Sequence, residues 1–267
     1  MTNMEIEKTV KICTLGSGSK GNSFVISNNY GETILVDAGF SCRQMMNRLT
    51  QSGIAANSIK AVLLTHDHDD HVAGCKLFCN KLNIPLYTTF ETAKYLEGKD
   101  KLPKKVVQFE AGESFEIGNF LVNAFAVQHD AIDPVGFTVS CDNRKIGIAT
   151  DLGTLNMLCR KHLSNCHALL LESNYDREML YNSDRRLNLK QRISGNIGHL
   201  DNLDATQALG CLLGDNTQFL MLVHVSNECN SPEIIENLTC NSLKCLQKEY
   251  VKTYIATQHD ISDWFEI

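Results

Sequence analysis

The stretch "LLTHDHDDHVAG" constrains this chain more than any other. It sets His66, His68, Asp70 and His71 within six residues, at the end of the apolar run "IKAVLLTH". Three imidazoles beside several carboxylates are costly in a fold unless a cation satisfies them. A divalent metal does so. Nitrogen and oxygen donors suit Zn, Mn or Fe, and no cysteine lies inside the run. Residues two apart on an extended segment point the same way, so His66 and His68 address one point. Asp70 and His71 follow where the chain turns into a helix, in place for a second metal. A solvated polar loop accounts for one histidine at a strand end, not for this set.

The rest of the composition is that of a globular protein. Of 267 residues, 43% are apolar and 21% charged, and the chain is long enough to bury a sizeable core. No apolar run approaches the ~20 residues of a membrane helix. "MTNMEIEKTV" carries no signal-type apolar segment, so the expected location is cytoplasmic, with no membrane partner. Eleven cysteines without a C-x-x-C pair read as reduced core thiols. A net charge of −6 gives no global attraction to nucleic acid but permits a local basic groove. Residues 1–8 read as a flexible tail and 9–267 as a single domain.

Gly16, Gly18 and Gly21 in "GSGSKGNSF" spell G-x-G-x-x-G. A dinucleotide-binding turn needs a helix straight after the third glycine. Here "SFVIS", a turn at "NNYGE" and "TILVDAG" predict a hairpin instead, which argues against that cofactor. Strands are predicted at 10–15, 23–27, 33–39, 59–66, 84–88, 106–109, 120–128, 135–140, 145–149, 167–172 and 217–224. Helices are predicted at 42–53, 72–82, 90–97, 205–213 and 232–247. Paired strands interleaved with helices predict a layered α/β fold.

H-x-H-x-D-H after a "VLLTH" strand resembles the metallo-β-lactamase-fold hydrolases. The likeness extends over nearly the whole chain: Asp37 in "ILVDAG", His129 in "FAVQHDAIDPVGF", Asp151 in "IGIATDLG" and His224 in "FLMLVHVSNECN" match the family's other strand-end residues in order. The resemblance implies a four-layer αββα sandwich with a dinuclear metal site at one edge of the two sheets. It implies two divalent ions, Zn or Mn, with Fe also compatible. One would take His66, His68 and His129, the other Asp70, His71 and His224, with Asp151 bridging. Asp37 would orient a ligand histidine through its ring N–H. A hydroxide bridging the metals would be the nucleophile.

The glycine loop, "HDAIDPVGF", "ESNYDREML" and "GHLDN" resemble one branch, the YycJ/WalJ-like proteins, described as 5'→3' DNA exonucleases or uncharacterised hydrolases. Phosphodiester-cleaving relatives keep a non-ligand histidine in a "GH" segment; His199 matches it. His199 and Asp70 thus carry the catalytic expectation, with Glu172 orienting His199. Ser19 and Asn22 are expected to face substrate. In "NYDREMLYNSDRRLNLKQRISG", Arg177, Arg185, Arg186, Lys190 and Arg192 outnumber the acids, and Tyr175 and Tyr181 offer stacking faces. That composition predicts a basic rim for DNA. Three readings stay open: a DNA exonuclease, a small-molecule phosphodiesterase acting on cyclic nucleotides or phosphonate-type esters, and a non-catalytic metal-binding regulator.

Overall fold

The computed structural model describes residues 9–267; the expected tail over 1–8 lies outside the described residues. Strands form where β-branched and aromatic residues run together between Gly, Asn and Asp turns. The first sheet collects β1 (Val10–Gly16), β2 (Ser23–Asn28), β3 (Thr33–Val36), β4 (Ile59–Leu63), β5 (Leu86–Thr89) and β6 (Val106–Phe109). The second collects β7 (Ser114–Ile117), β8 (Phe120–Ala126), β9 (Val135–Cys141), β10 (Arg144–Ala149), β11 (Ala168–Glu172), β12 (Phe219–Val223) and β13 (Lys252–Ile255). A short β14 (Phe265–Glu266) returns to the first sheet beside β1. The spatial orders are 14-1-2-3-4-5-6 and 13-12-11-10-9-8-7.

Most central strands are apolar on both faces, as buried sheets require. Along β1, Val10 and Ile12 enter the core between the sheets, while Cys13 and Leu15 enter the core under the helices. Phe24, Ile34, Phe120, Phe137 and Met221 fill the inter-sheet layer. On the outer face of the first sheet lie α1 (Cys42–Gln51), α2 (Asp69–Val72), α3 (Cys75–Leu82) and α4 (Phe90–Gly98). The second sheet is covered by α5 (Met157–Leu163), α8 (Asn202–Leu212) and α9 (Pro232–Cys245), after α6 (Arg177–Asn182) and α7 (Leu187–Ile193), which form a separate small cluster. The result is the expected αββα sandwich.

The glycine loop joins the antiparallel strands β1 and β2, and the antiparallel hairpin β2–β3 follows it directly, so no helix comes after those glycines. Two sequence readings need correction. The helix predicted over 72–82 is broken into α2 and α3. Gly74 sits at the break because a Cβ there would lie 2.2 Å from the Phe40 carbonyl oxygen. The cysteines are all free, but Cys211, Cys240 and Cys245 are exposed and Cys42 half-buried. They lie on outward faces of α1, α8 and α9 rather than in the core. Among the described residues, no helix is long and apolar enough to cross a membrane.

Candidate metal centre

The site is built where strands of both sheets end. Asp37 follows β3, His66 and His68 follow β4, and His129 follows β8. Asp151 follows β10, Glu172 closes β11 and His224 follows β12. Asp37, Asp151 and His224 adopt positive φ of 64°, 53° and 52°. Non-glycine residues pay for the left-handed region unless their surroundings hold them there. Each of these breaks the extended path at a strand end, where its side chain meets the cluster.

Hydrogen bonds fix each imidazole by one ring nitrogen and release the other. His71 donates Nδ1–H to Asp37 Oδ2 at 2.7 Å, His129 donates Nδ1–H to the Gly198 carbonyl at 2.9 Å, and His224 donates Nδ1–H to Glu172 Oε1 at 2.8 Å. In the neutral ring, the form that binds a cation, Nε2 of each therefore carries the lone pair. His66 Nδ1 rests against Thr65 Oγ1 at 3.0 Å, again freeing Nε2. His68 turns Nδ1 towards His129 Nε2, 3.2 Å away. Asp37 is itself held by the Thr65 backbone N–H and hydroxyl.

The freed atoms converge. His66, His68 and His129 form one group and Asp70, His71 and His224 another, with ligand atoms inside each group within 4.8 Å of one another. Asp151 stands between them, with Oδ2 3.0 Å from His71 Nε2 and Oδ1 3.7 Å from His129 Nε2. His66 Nε2, His224 Nε2 and Asp151 Oδ2 are buried with no hydrogen-bond partner. Unsatisfied buried donors and acceptors are rare and need a cause. A divalent cation supplies it, and this donor set fits one: imidazole and carboxylate, without sulfur.

The electrostatics agree. Burial works against an imidazolium at His71 and His224, yet Asp151 and neighbouring carboxylates outweigh it, lifting His71 well above the ordinary range and His224 to about 10. Burial disfavours ionised Asp151, but His224 and His71 hold it well below the usual carboxylate range. Burial and the surrounding rings push His66 down. The polypeptide alone keeps this cluster balanced with protons; a metal replaces them.

Asp151, Glu172, His199 and His224 also stand within 4.8 Å of one another. That group is a hydrogen-bond hub. Glu172 Oε1 accepts from the Nδ1–H of both His199 and His224 at 2.8 Å, and Oε2 accepts from the backbone N–H of Leu152 and Leu200. His199 is thereby left with Nε2 facing open space.

A cleft of about 590 Å³ lies over the cluster, bordered by His68, Asp70, Asp151, His199 and His224. Ser19 is on its rim. Asn22 is not, contrary to expectation. It is fully buried: its carbonyl oxygen accepts from Ser17 Oγ and the Gly18 N–H, and its amide approaches His71 Nε2 at 3.0 Å and Asp70 Oδ2 at 3.3 Å. Asn22 ties the glycine loop to the cluster instead of meeting substrate.

The anticipated basic rim divides. Arg185 and Arg192 border the first cleft, but Arg185 pairs with Glu228 at 3.1 Å and Arg192 pairs with Asp130. Arg177 and Lys190 border a second cleft, where Asp201 and Asp204 hold Arg177 at 2.7 and 2.8 Å. Arg186 is exposed and lines neither. Tyr175, expected to stack on bases, is buried against Leu180 and Ile193. Counting charges along one segment overlooked acids distant in sequence. Sequence reasoning also missed Tyr95, Lys99 and Lys101, which border the first cleft, Lys101 paired there with Asp69. The signal was present in "GKDKLPKK", four lysines in eight residues. Asn174, also missed, lines the cleft and donates to the His224 carbonyl at 2.6 Å.

Residues 32–225 match the family model described as beta-lactamase superfamily domain. The chain belongs to the beta-lactamase superfamily. It is 32% identical over 239 residues to a Streptococcus pneumoniae protein named exodeoxyribonuclease WalJ, covering 87% of this chain and 88% of that one. It is 30% identical over 223 residues to a Bacillus anthracis protein named exodeoxyribonuclease YycJ, covering 82% and 84%. Among solved structures, the metallo-beta-lactamase fold protein YhfI of Bacillus subtilis superimposes with a TM-score of 0.72 at 16% identity, covering 98% of this chain and all of that one. That likeness establishes the fold. Divalent-metal binding follows from the family together with the donor cluster.

Proposed function

We propose that this superfamily member is a metal-dependent phosphodiesterase that degrades DNA exonucleolytically from the 5' end. The observation that carries this reading is the convergence of orphaned buried nitrogen and oxygen donors beneath an open cleft that His199 also borders. The names of the Streptococcus pneumoniae and Bacillus anthracis relatives supply the substrate class.

Two cations, Zn or Mn, with Fe also compatible, would be held by His66, His68 and His129 and by Asp70, His71 and His224, with Asp151 shared. Bound there, they supply a water ionised near neutrality and positive charge against a phosphate. The protein's own groups do the rest. Asp37 and Glu172 fix the tautomers of His71 and His224. His199 keeps Nε2 towards the cleft because Glu172 holds Nδ1–H, so its imidazolium form, with a second proton on Nε2, is placed to hydrogen-bond a phosphate oxygen or protonate the leaving oxygen. Lys99 borders the first cleft where the sugar–phosphate backbone would run, while Lys101 there is paired with Asp69.

The test is an assay of purified protein with Mn²⁺ and with Zn²⁺ on end-labelled single- and double-stranded DNA, RNA and bis(p-nitrophenyl) phosphate, beside His68→Ala. Metal-dependent DNA shortening, absent in the variant, is expected; product lengths give polarity. DNA left intact by metal-loaded protein overturns the nuclease reading. The ion pairing of Arg177, Arg185 and Arg192 favours a second reading, a small-molecule phosphodiesterase. Turnover of cyclic nucleotides or bis(p-nitrophenyl) phosphate without DNA cleavage selects it.

A further inference from the structure

His199 borders two clefts, and only the first contains the metal-ligand cluster. The second, about 750 Å³, lies between α6, α7 and the segment 194–204. Its chemistry differs from that of the first. Arg177 is neutralised by Asp201 and Asp204, and Lys190 Nζ donates to the Tyr181 carbonyl at 2.6 Å. The two cations and two carboxylates of its lining cancel, so it offers no net attraction to a phosphate chain. It presents instead a 79% exposed Tyr181 and a 70% exposed Leu187, from successive helices. Together they give this cleft one aromatic and one aliphatic face open to a ligand. Neutral groups able both to donate and to accept, on Gln191, Ser194 and Asn196, complete the lining.

A phosphodiester held at His199 has a nucleoside on each side. We infer that the second cleft receives the nucleobase flanking the scissile phosphate, stacked on Tyr181 and Leu187, with its edge against Gln191 and Asn196. Aromatic and apolar faces accept any base. The first cleft holds the metal-ligand cluster, where cations would meet the phosphate; the second holds the base. This assignment rests on the nuclease reading and gives it a positioning element away from the metals.

The experiment compares single-stranded DNA with the same strand carrying an abasic residue beside the cleaved bond. Wild-type protein is expected to show kcat/KM about tenfold lower on the abasic strand. Tyr181→Ala combined with Leu187→Ala is expected to erase that ratio, and Tyr181→Phe to keep it. The same ratio is expected in binding of a fluorescent oligonucleotide to metal-free protein, read by anisotropy. Both side chains are exposed, so the variants retain the core, which their thermal melts check. An abasic penalty that persists in the double variant, or is absent in the wild type, overturns the inference while leaving the nuclease reading intact. Failure of the wild type to cleave any DNA overturns both.

Discussion

Replacing Glu172 by Gln isolates the hub that joins His199 to the metal ligands. Glu172 is fully buried, and its two oxygens accept four hydrogen bonds of 2.8, 2.8, 2.9 and 3.1 Å. A glutamine keeps the shape but turns one oxygen into an NH₂. If the NH₂ faces Leu152 and Leu200, two buried backbone N–H groups lose their acceptor. If it faces the histidines, His224 must accept at Nδ1 and move its proton to Nε2, the atom that addresses the cation. Either outcome destabilises the fold by about 2–4 kcal/mol, from one or two buried groups left unsatisfied. The second also lowers affinity for the cation held by Asp70, His71 and His224 by about 10–100-fold, the usual effect of removing a carboxylate behind a ligand histidine. Chelator competition, read with urea melts of metal-free protein, separates the two effects. The cation at His66, His68 and His129 should be bound as before. Unchanged metal affinity and unchanged urea midpoint together would refute the hub.

Four further outcomes are expected. In metal-free protein His71 and His224 sit above their ordinary range, His224 at about 10, so both carry protons at pH 7 that a cation must displace; titration calorimetry in buffers of different ionisation enthalpy should show proton release, with apparent affinity rising as pH increases towards 10, and a pH-independent affinity contradicts the assignment. Asn22→Ala should lower metal affinity about tenfold, with KM for DNA unchanged at saturating metal; the reverse would return Asn22 to the substrate face. Gly39→Ala places a Cβ 1.7 Å from the Asp70 carbonyl oxygen, and the forced shift should cost about 2–3 kcal/mol in urea unfolding; an unshifted midpoint contradicts that packing. Lys99→Ala should reduce the slope of log K for single-stranded DNA against log salt by about 0.7, one phosphate contact; an unchanged slope removes Lys99 from the track.

The cluster was legible because its chemistry is local and improbable. No ordinary loop explains His66, His68, Asp70 and His71 after an apolar strand, and the outlying Asp37, His129, Asp151 and His224 each end such a strand. The hairpin after Gly21 was equally legible, since turn residues and β-branched runs encode it directly. The state of the rim was not. Arg192 finds Asp130, Arg185 finds Glu228, and Arg177 finds Asp201 and Asp204, partners that a local charge count along 174–195 does not weigh. Asn22 looked like a loop residue open to substrate, yet its amide is consumed by Ser17, Gly18, Asp70 and His71. The second cleft was invisible for the same reason: α6 and α7 are short, and only their packing beside His199 creates it.

The most direct test is an anomalous-diffraction map of crystals soaked in Mn²⁺ or Zn²⁺, with elemental analysis of the same protein. Two cations per chain are predicted, one against His66, His68 and His129, the other against Asp70, His71 and His224, with Asp151 touching both. Protein that takes up neither metal, or binds it away from these side chains, contradicts the account.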